Sequence, residues 1–166
     1  MSLNPFKKPK PNQALIRSGI GKVITTSSVA IKGFSLLHLI EAIDLSERKI
    51  TIKRDKQWPL LSKDKVKLYG EAHFTFCIVD EGFNLRMIAQ SIGPKNTFDQ
   101  KMWEKFMYPK FNEALEVIIG GYTVNELFNN SIDWHSEMSN YLHLEYECLS
   151  LVRVNIELQK PKALQL

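Results

Sequence analysis

The chain has 166 residues, of which 44% are hydrophobic and 24% are charged, as in an ordinary globular protein. This composition excludes a disordered or fibrous chain, and no run approaches the ~18 apolar residues that a membrane-spanning helix needs. The net charge of +4 is uneven, because residues 1–67 carry 14 Lys and Arg against 5 Asp and Glu (+9), and residues 68–166 carry 8 against 13 (−5). The basic half predicts a contact with something anionic, either a membrane surface or nucleic acid.

Residues 1–13 are basic and proline-rich, which predicts an extended linker and excludes a helix or a central strand. The first three residues, MSL, are typical of a cloning remnant. Lys7, Lys8 and Lys10 form the densest positive charge of the chain. From composition alone they are interpreted first as a solvated tail, with a flank on lipid head groups as the alternative.

Short alternating segments separated by Gly and Ser fill residues 14–45, and they predict a meander of hairpins. The segment RKITIKR, residues 48–54, alternates again, with its lysines outward. Ile50 and Ile52 are predicted to point inward. In the earlier segment LLHLIEAIDL, the positions predicted to share one side are Leu37, Leu39, Ile43 and Leu45.

Residues 63–79 show the longest clean period of two in the chain, which predicts a long strand with one covered face. Gly70 lies within this run, where a glycine often marks a bulge or a bend. The predicted covered face consists of Val66, Leu68, Ala72, Phe74, Phe76 and Ile78.

Helical periods dominate the next part of the chain. Residues 83–93 place Phe83, Met87 and Ile88 on one predicted face, and residues 99–119 form a second helix that Pro109 should kink or restart. The apolar stripe of the second helix is predicted to comprise Phe111, Leu115, Ile118 and Ile119.

A capping box, Thr123 to Glu126, starts a third helix, and a further helix is predicted over residues 133–144. Residues 146–158 then alternate as a closing strand, with Val152, Val154 and Ile156 on one face. We expect this strand to pair with the amino-terminal sheet.

The order of elements is strands, then helices, then one strand, which predicts an α+β fold. We expect an antiparallel or mixed sheet of about six strands with helices packed on one side. The predicted boundaries are a linker over residues 1–13, one domain over residues 14–158 and a tail over residues 159–166.

The sequence contains no motif that predicts a catalytic, cofactor-binding or metal site. The RSGIGK segment lacks the remaining residues of a phosphate-binding loop, and it is interpreted as a turn. The histidines His38, His73, His135 and His143 lack metal-binding spacing. Neither Cys77 nor Cys148 belongs to a CxxC pair, so the cysteines are predicted to be buried thiols in a reducing compartment. Glu71 and His73, two residues apart on one strand face, leave a small enzyme as a third and weaker hypothesis.

Six segments in order resemble the SPFH (stomatin, prohibitin, flotillin) domain, most closely its flotillin branch. The similarity covers residues 12–158. The segments are NQALIRSG, KVITT, HLIEAIDLSERKITIKR, LLSKDKVKLYGEAHFTFCI, FNEALEVIIGGYTVNELFNN and LEYECLSLVRVNIEL.

The resemblance implies a non-catalytic scaffold on the cytoplasmic side of a membrane. Such proteins anchor to a membrane through a segment before this domain. A coiled coil after the domain drives their assembly into large homo-oligomers, which organise membrane proteins or microdomains. Neither segment is found here, so we expect the chain to be a domain of a longer protein. The resemblance moves the lipid-flank interpretation ahead, and it assigns membrane-surface contacts to Lys7, Lys8, Lys10, Arg17 and Lys22.

The alternative function is a soluble binding module for an anionic partner such as nucleic acid. The basic residues are spread over a tail and strands, and the aromatic residues lie mostly in the acidic half. Because nucleic-acid binding needs both on one face, nucleic acid is not the expected partner.

Overall fold

The computed structural model describes residues 6–34, 36–129, 132–143 and 147–159. Ten strands are present among them. Their bounds are β1 Phe6–Lys7, β2 Gln13–Gly19, β3 Ile24–Thr26, β4 Ile31–Lys32, β5 His38–Asp44, β6 Arg48–Arg54, β7 Leu60–Leu61, β8 Lys67–Leu68, β9 Gly70–Ile78 and β10 Leu149–Leu158.

Four α-helices accompany these strands, with a 3-10 turn at Lys95–Phe98 after the first helix. Their bounds are α1 Gly82–Ser91, α2 Gln100–Gly121, α3 Val124–Phe128 and α4 Trp134–His143. In α3 the predicted capping box is confirmed, because Thr123 and Glu126 accept hydrogen bonds from each other's backbone amides.

The predicted α+β fold is confirmed. The described strands form four small sheets, ordered β1-β4, β3-β2-β5, β7-β8 and β10-β9-β6, where the sequence predicted one sheet of about six strands. The pairs β1–β4, β2–β3, β2–β5 and β7–β8 are antiparallel.

The chain, predicted as one domain, divides into two compact units. The described residues of the first unit are 6–34, 36–48, 77–103 and 147–150, and the remaining described residues form the second unit. In the first unit, Ala14, Leu15 and Ile16 on β2 are buried together with Ile43 on β5. Residues 6 and 7 of the predicted linker pair with β4 in this unit, and residues 1–5 lie outside the described part.

In the second unit, α2 packs on one face of β9. The rings of Phe74 and Phe111 stack with centroids 4.6 Å apart, and Phe76 meets Phe111 at 5.3 Å. The predicted stripe of α2 is buried as a whole, so this part of the core follows from the helical period. The helix continues through Pro109 as one element.

The predicted strand over residues 63–79 is confirmed in its second part and interrupted before Gly70. Gly70 has a φ of +151°, and a Cβ atom there would lie 2.0 Å from the carbonyl oxygen of Glu157 on β10. The backbone of β10 therefore approaches β9 where only a glycine fits.

The closing strand pairs with β9, and not with the amino-terminal sheet as expected. The Val79 amide donates to Cys148 at one end, and the Gln159 amide donates to Tyr69 at the other, so the two strands run antiparallel. Residues 69–79 thus face residues 148–159, and the second stretch contains one residue more than the first. The extra residue requires a β-bulge in β10.

This bulge corrects the predicted face of β10. Val152 and Arg153 are both exposed in succession, while Val154, Ile156 and Leu158 are half-buried. Val152 therefore leaves the face that it was predicted to share with Val154 and Ile156, because the extra residue reverses the alternation.

The predicted face of α1 is wrong at two positions. The helix buries Asn84, Leu85 and Ile88, whereas Phe83 and Met87 are exposed. The helical spacing is present, but α1 contacts β2 and β3 through the neighbouring side of the cylinder.

Candidate functional site

At one end of the β2–β5 pair in the first unit, the exposed loop after Gly19 lies next to the exposed loop before His38. The register of the two strands ends where Gly19 faces His38. Gly19 has a φ of +116°, and a Cβ atom there would lie 2.2 Å from the Leu37 carbonyl oxygen. The Ile20 amide donates to that same carbonyl at 3.1 Å, so the chain turns tightly against the start of β5. The predicted turn in RSGIGK is confirmed.

His38 joins the two loops at this end. Its Nδ1 accepts a hydrogen bond from the Phe34 amide at 3.2 Å, and its Nε2 lies 3.0 Å from the Ile20 carbonyl oxygen. An amide can only donate and a carbonyl can only accept, so the geometry requires a neutral ring with its proton on Nε2. The imidazole therefore acts as a clamp between the segments around residues 20 and 34.

The loops held by this clamp carry apolar side chains into solvent. Leu36 is 96% exposed and Ile20 is 69% exposed, and Phe34 and Leu37 are exposed as well. We call Ile20, Phe34, Leu36 and Leu37 the apolar tip. Exposed apolar groups gathered at one place mark a contact surface more often than scattered ones do.

The strand side predicted to carry Leu37, Leu39, Ile43 and Leu45 is only partly covered in the structure. Ile43 is buried, but Leu37 and Leu39 are exposed. The alternation is present in β5, but its face is covered only towards the Ile43 end.

Basic groups stand next to the apolar tip. The Lys32 ammonium lies 5.3 Å from the ring centroid of Phe34 and 5.7 Å from that of Phe6, within cation–π range. Lys22 is exposed two residues after Ile20. Lys32 was not among the membrane-surface residues predicted from sequence, although its position among the apolar residues of VAIKGF could have indicated it.

Of the predicted membrane-surface residues, Arg17 is engaged within the fold. Its guanidinium donates to the carbonyl oxygens of Lys32 at 2.9 Å and Lys22 at 3.5 Å. Arg17 is half-buried, and it holds the segments that carry these two lysines.

The other predicted lysines are exposed but are not all gathered at the tip. The Lys7 ammonium donates to the carbonyl oxygen of Ile40, which pairs with Arg17, and Lys8 follows it. Lys10 lies near the opposite end of β2, where its carbonyl oxygen accepts from Gln13. The structure therefore brings Lys7 and Lys22 close to Arg17 and places Lys10 near the other end of β2.

Glu71 and His73, the residues of the enzyme hypothesis, lie on the partly exposed face of β9. The His73 Nδ1 lies 3.0 Å from Thr51 Oγ1, and its Nε2 lies 3.8 Å from Glu71, which also binds Lys53 at 2.9 Å. Both side chains are more than two-fifths exposed. Thr51, His73 and Glu71 thus place a hydroxyl, an imidazole and a carboxylate next to one another on the partly exposed face of the sheet.

The described part of the chain contains neither a metal-binding cluster nor a membrane-spanning helix. No group of His, Cys, Asp and Glu there could hold a metal ion. None of the helices in that part is long and apolar enough to cross a membrane. Cys77 and Cys148 are half-buried and form no disulfide, and burial, with the Glu47 charge, raises the pKa of the Cys77 thiol.

No protein-family model matches the chain, and no curated protein is significantly similar to it in sequence.

Proposed function

We propose that the chain is a non-catalytic, membrane-associated scaffold domain that touches an anionic lipid surface through the apolar tip. The observation that carries the proposal is the nearly complete exposure of Leu36 beside Ile20, with Lys22 and Lys32 as neighbours. An apolar tip next to basic groups suits a lipid bilayer, because the bilayer interior is apolar and its head groups can be anionic.

Approximate energies support a reversible contact. Full transfer of one Leu, Ile or Phe side chain out of water is worth ~1.5–3 kcal/mol, and each basic residue near an anionic surface adds ~1 kcal/mol. A few apolar side chains and lysines together reach the range of micromolar binding, because that range corresponds to ~8 kcal/mol. The proposed attachment is peripheral, on the cytoplasmic leaflet, where anionic lipids are enriched.

The scaffold part of the proposal is supported by the resemblance of six ordered segments to SPFH domains. It includes assembly into large homo-oligomers that organise membrane proteins. Chemical cross-linking of the protein in solution and on anionic vesicles tests assembly. We expect a ladder of multimers on vesicles, and a chain that stays monomeric at full surface coverage would contradict this part.

Vesicle flotation tests the membrane contact. The double variant Ile20→Ser, Leu36→Ser should bind anionic vesicles at least tenfold more weakly, because ~3 kcal/mol of apolar transfer is lost. The matched control is Trp58→Ser, Val117→Ser, which removes two exposed apolar side chains from the second unit. Equal flotation of the wild-type chain and the tip variant would contradict the proposal.

A second candidate function, binding of nucleic acid, is favoured by one observation. The exposed rings of Phe6 and Phe34 flank Lys32, and bases stack on such rings beside a cation. The aliphatic side chains Ile20 and Leu36 offer no comparable contact to a base, so the tip as a whole favours lipid. Salt-sensitive binding to single-stranded DNA, unchanged in the tip variant, would support this second candidate.

A further inference from the structure

A groove of about 550 Å³ lies beside strand β6 in the second unit. Three consecutive residues of β6, from Lys49 to Thr51, line one side. Glu104, Lys105, Tyr108 and Pro109 of α2 line the other side. Ile50 is almost completely buried, so the accessible part of this wall is formed by Lys49 and Thr51, which are both exposed.

Strand β6 is an edge strand. It ends the order β10-β9-β6, and in the part of the chain that the structure describes no strand pairs with its other side. The N–H and C=O groups on such a side can pair with an added strand. The groove therefore offers the main-chain geometry that extended peptides use.

The helix wall of the groove supplies another acceptor. Pro109 has no N–H, so the carbonyl of Lys105 loses the donor that a helix would normally provide from four residues ahead. Both residues line the groove, and the exposed ring of Tyr108 lies between them in sequence. This wall thus combines a backbone acceptor with an aromatic surface.

The sequence of β6 selects against one kind of partner. Residues 48–54 read RKITIKR, which is the same in both directions. Antiparallel pairing with β6 of a second copy, centred on Thr51, would place Lys49 opposite Lys53 and Arg48 opposite Arg54. Like charges in facing positions destabilise a pair of strands, so this edge disfavours its own copy.

We propose that the β6 edge binds an extended segment of a partner protein in which acidic and apolar residues alternate. Side chains of an added strand point alternately to the two faces of the sheet. Those on the outer face would meet Lys49 and Lys53, both exposed, and those on the inner face would meet Tyr108. Lys53 already pairs with Glu71, so the outer face holds carboxylates in this structure. The proposal uses no residue of the apolar tip and does not depend on membrane binding.

Fluorescence anisotropy with the whole chain and a labelled Glu-Val-Glu-Val-Glu-Val-Glu peptide tests this proposal. We expect saturable binding of this peptide, and no binding of the same peptide with Lys in place of Glu. The variant Lys49→Glu, Lys53→Glu should weaken binding at least tenfold. The matched control, Lys56→Glu, Lys67→Glu, makes the same charge change at exposed positions outside the groove, and it should bind within twofold of wild type.

Amide hydrogen exchange supplies a readout that does not depend on a variant. Added peptide should slow exchange at residues 48–54, because their outer amides become hydrogen-bonded. Equal weakening by both double variants would show attraction by net charge alone and would overturn the proposal. Failure of the acidic peptide to bind, or binding without protection of β6, would overturn it as well.

Discussion

At the scale of single residues, Gly70 gives the sharpest expectation for stability. Gly70→Ala combines a φ of +151° with a Cβ atom 2.0 Å from the Glu157 carbonyl oxygen, so the backbone of β10 must move. We expect a loss of well over ~1 kcal/mol in the free energy of unfolding, measured by urea denaturation. The control Gly121→Ala, with an ordinary φ and open space around its Cβ, should stay within ~1 kcal/mol of wild type. A similar loss in both variants would contradict this account of Gly70.

Asp64 gives an expectation for pH dependence. Its carboxylate accepts from the Ser62 hydroxyl at 2.6 Å and from the Val124 amide at 3.2 Å, and these hydrogen bonds, Ser62 first, hold its pKa below the ordinary value of 3.8. A carboxylate with a lowered folded pKa stabilises the fold above its ordinary pKa, and the contribution disappears as the pH falls through the folded pKa. Asp64 should therefore stabilise the fold at pH 7 and lose this effect below pH 3.8.

Urea denaturation of Asp64→Asn at two pH values checks this expectation. Asn resembles the protonated carboxyl group in shape, so the variant should be less stable than wild type at pH 7, and the difference should shrink as the pH falls below 3.8. Glu126→Gln in the α3 capping box should behave alike, because hydrogen bonds from Thr123 lower the pKa of Glu126. A stability difference that does not change with pH would show that the charge of Asp64 is irrelevant.

At the scale of elements, Arg54 fastens strand β6 to helix α2. Its guanidinium donates to Asn112 and Glu116, and its side chain is 9% exposed, whereas Lys53 on the same strand is 73% exposed and pairs with Glu71. Exposed ion pairs contribute ~0–1 kcal/mol, and loss of buried hydrogen bonds to a charged group costs ~1.5–3 kcal/mol.

Arg54→Met should therefore destabilise the chain more than Lys53→Met does. Both substitutions remove one positive charge from β6 and keep an unbranched side chain of moderate length. The urea midpoints of the two variants give the comparison. A larger loss for Lys53→Met would mean that Arg54 does not hold the strand to the helix.

The sequence predicted the buried faces correctly for α2 and β9, which pack against each other. Phe111 and Leu115 on α2, and Phe74 and Phe76 on β9, are buried as their periods predict. Periodicity shows which side chains share a face, but it does not show which neighbour covers that face. Helical spacing therefore grouped Phe83 on α1 with Ile88, although Phe83 is exposed and Ile88 is buried.

The β-bulge in β10 could not be predicted from the sequence for a related reason. A bulge is defined by the partner strand, and the predicted partner was the amino-terminal sheet. The exposure of Val152 follows once β9 is the partner and the chain from Cys148 to Gln159 must match the shorter stretch from Tyr69 to Val79.

At the scale of the whole molecule, the sequence indicated the α+β class and a basic amino-terminal part, but not the apolar tip. Sequence alternation placed Leu37 on one side with Leu39, Ile43 and Leu45, but alternation alone cannot distinguish a covered end of a strand from an uncovered one. The exposure of Leu36 depends on the turn at Gly19 and on the His38 clamp, and both arise from contacts between residues distant in sequence.

His38 tests whether the tip acts as one preorganised unit. His38→Leu removes both hydrogen bonds of the clamp and should loosen the loops that carry Ile20 and Phe34. We expect faster amide exchange at residues 20 and 34 and vesicle binding weakened severalfold, because ordering the loops on lipid then costs entropy. Unchanged exchange would show that the clamp does not hold the tip.

The most direct test of the proposed membrane contact is the depth of the tip in lipid. In a chain with Cys77→Ala and Cys148→Ala, Leu36→Cys carries an environment-sensitive fluorophore, and Val117→Cys on α2 carries it in the control. On anionic vesicles we expect a blue shift and quenching by brominated acyl chains for the label at residue 36, and neither for the label at residue 117. A label at residue 36 that remains in water while the protein is bound to vesicles would contradict the account.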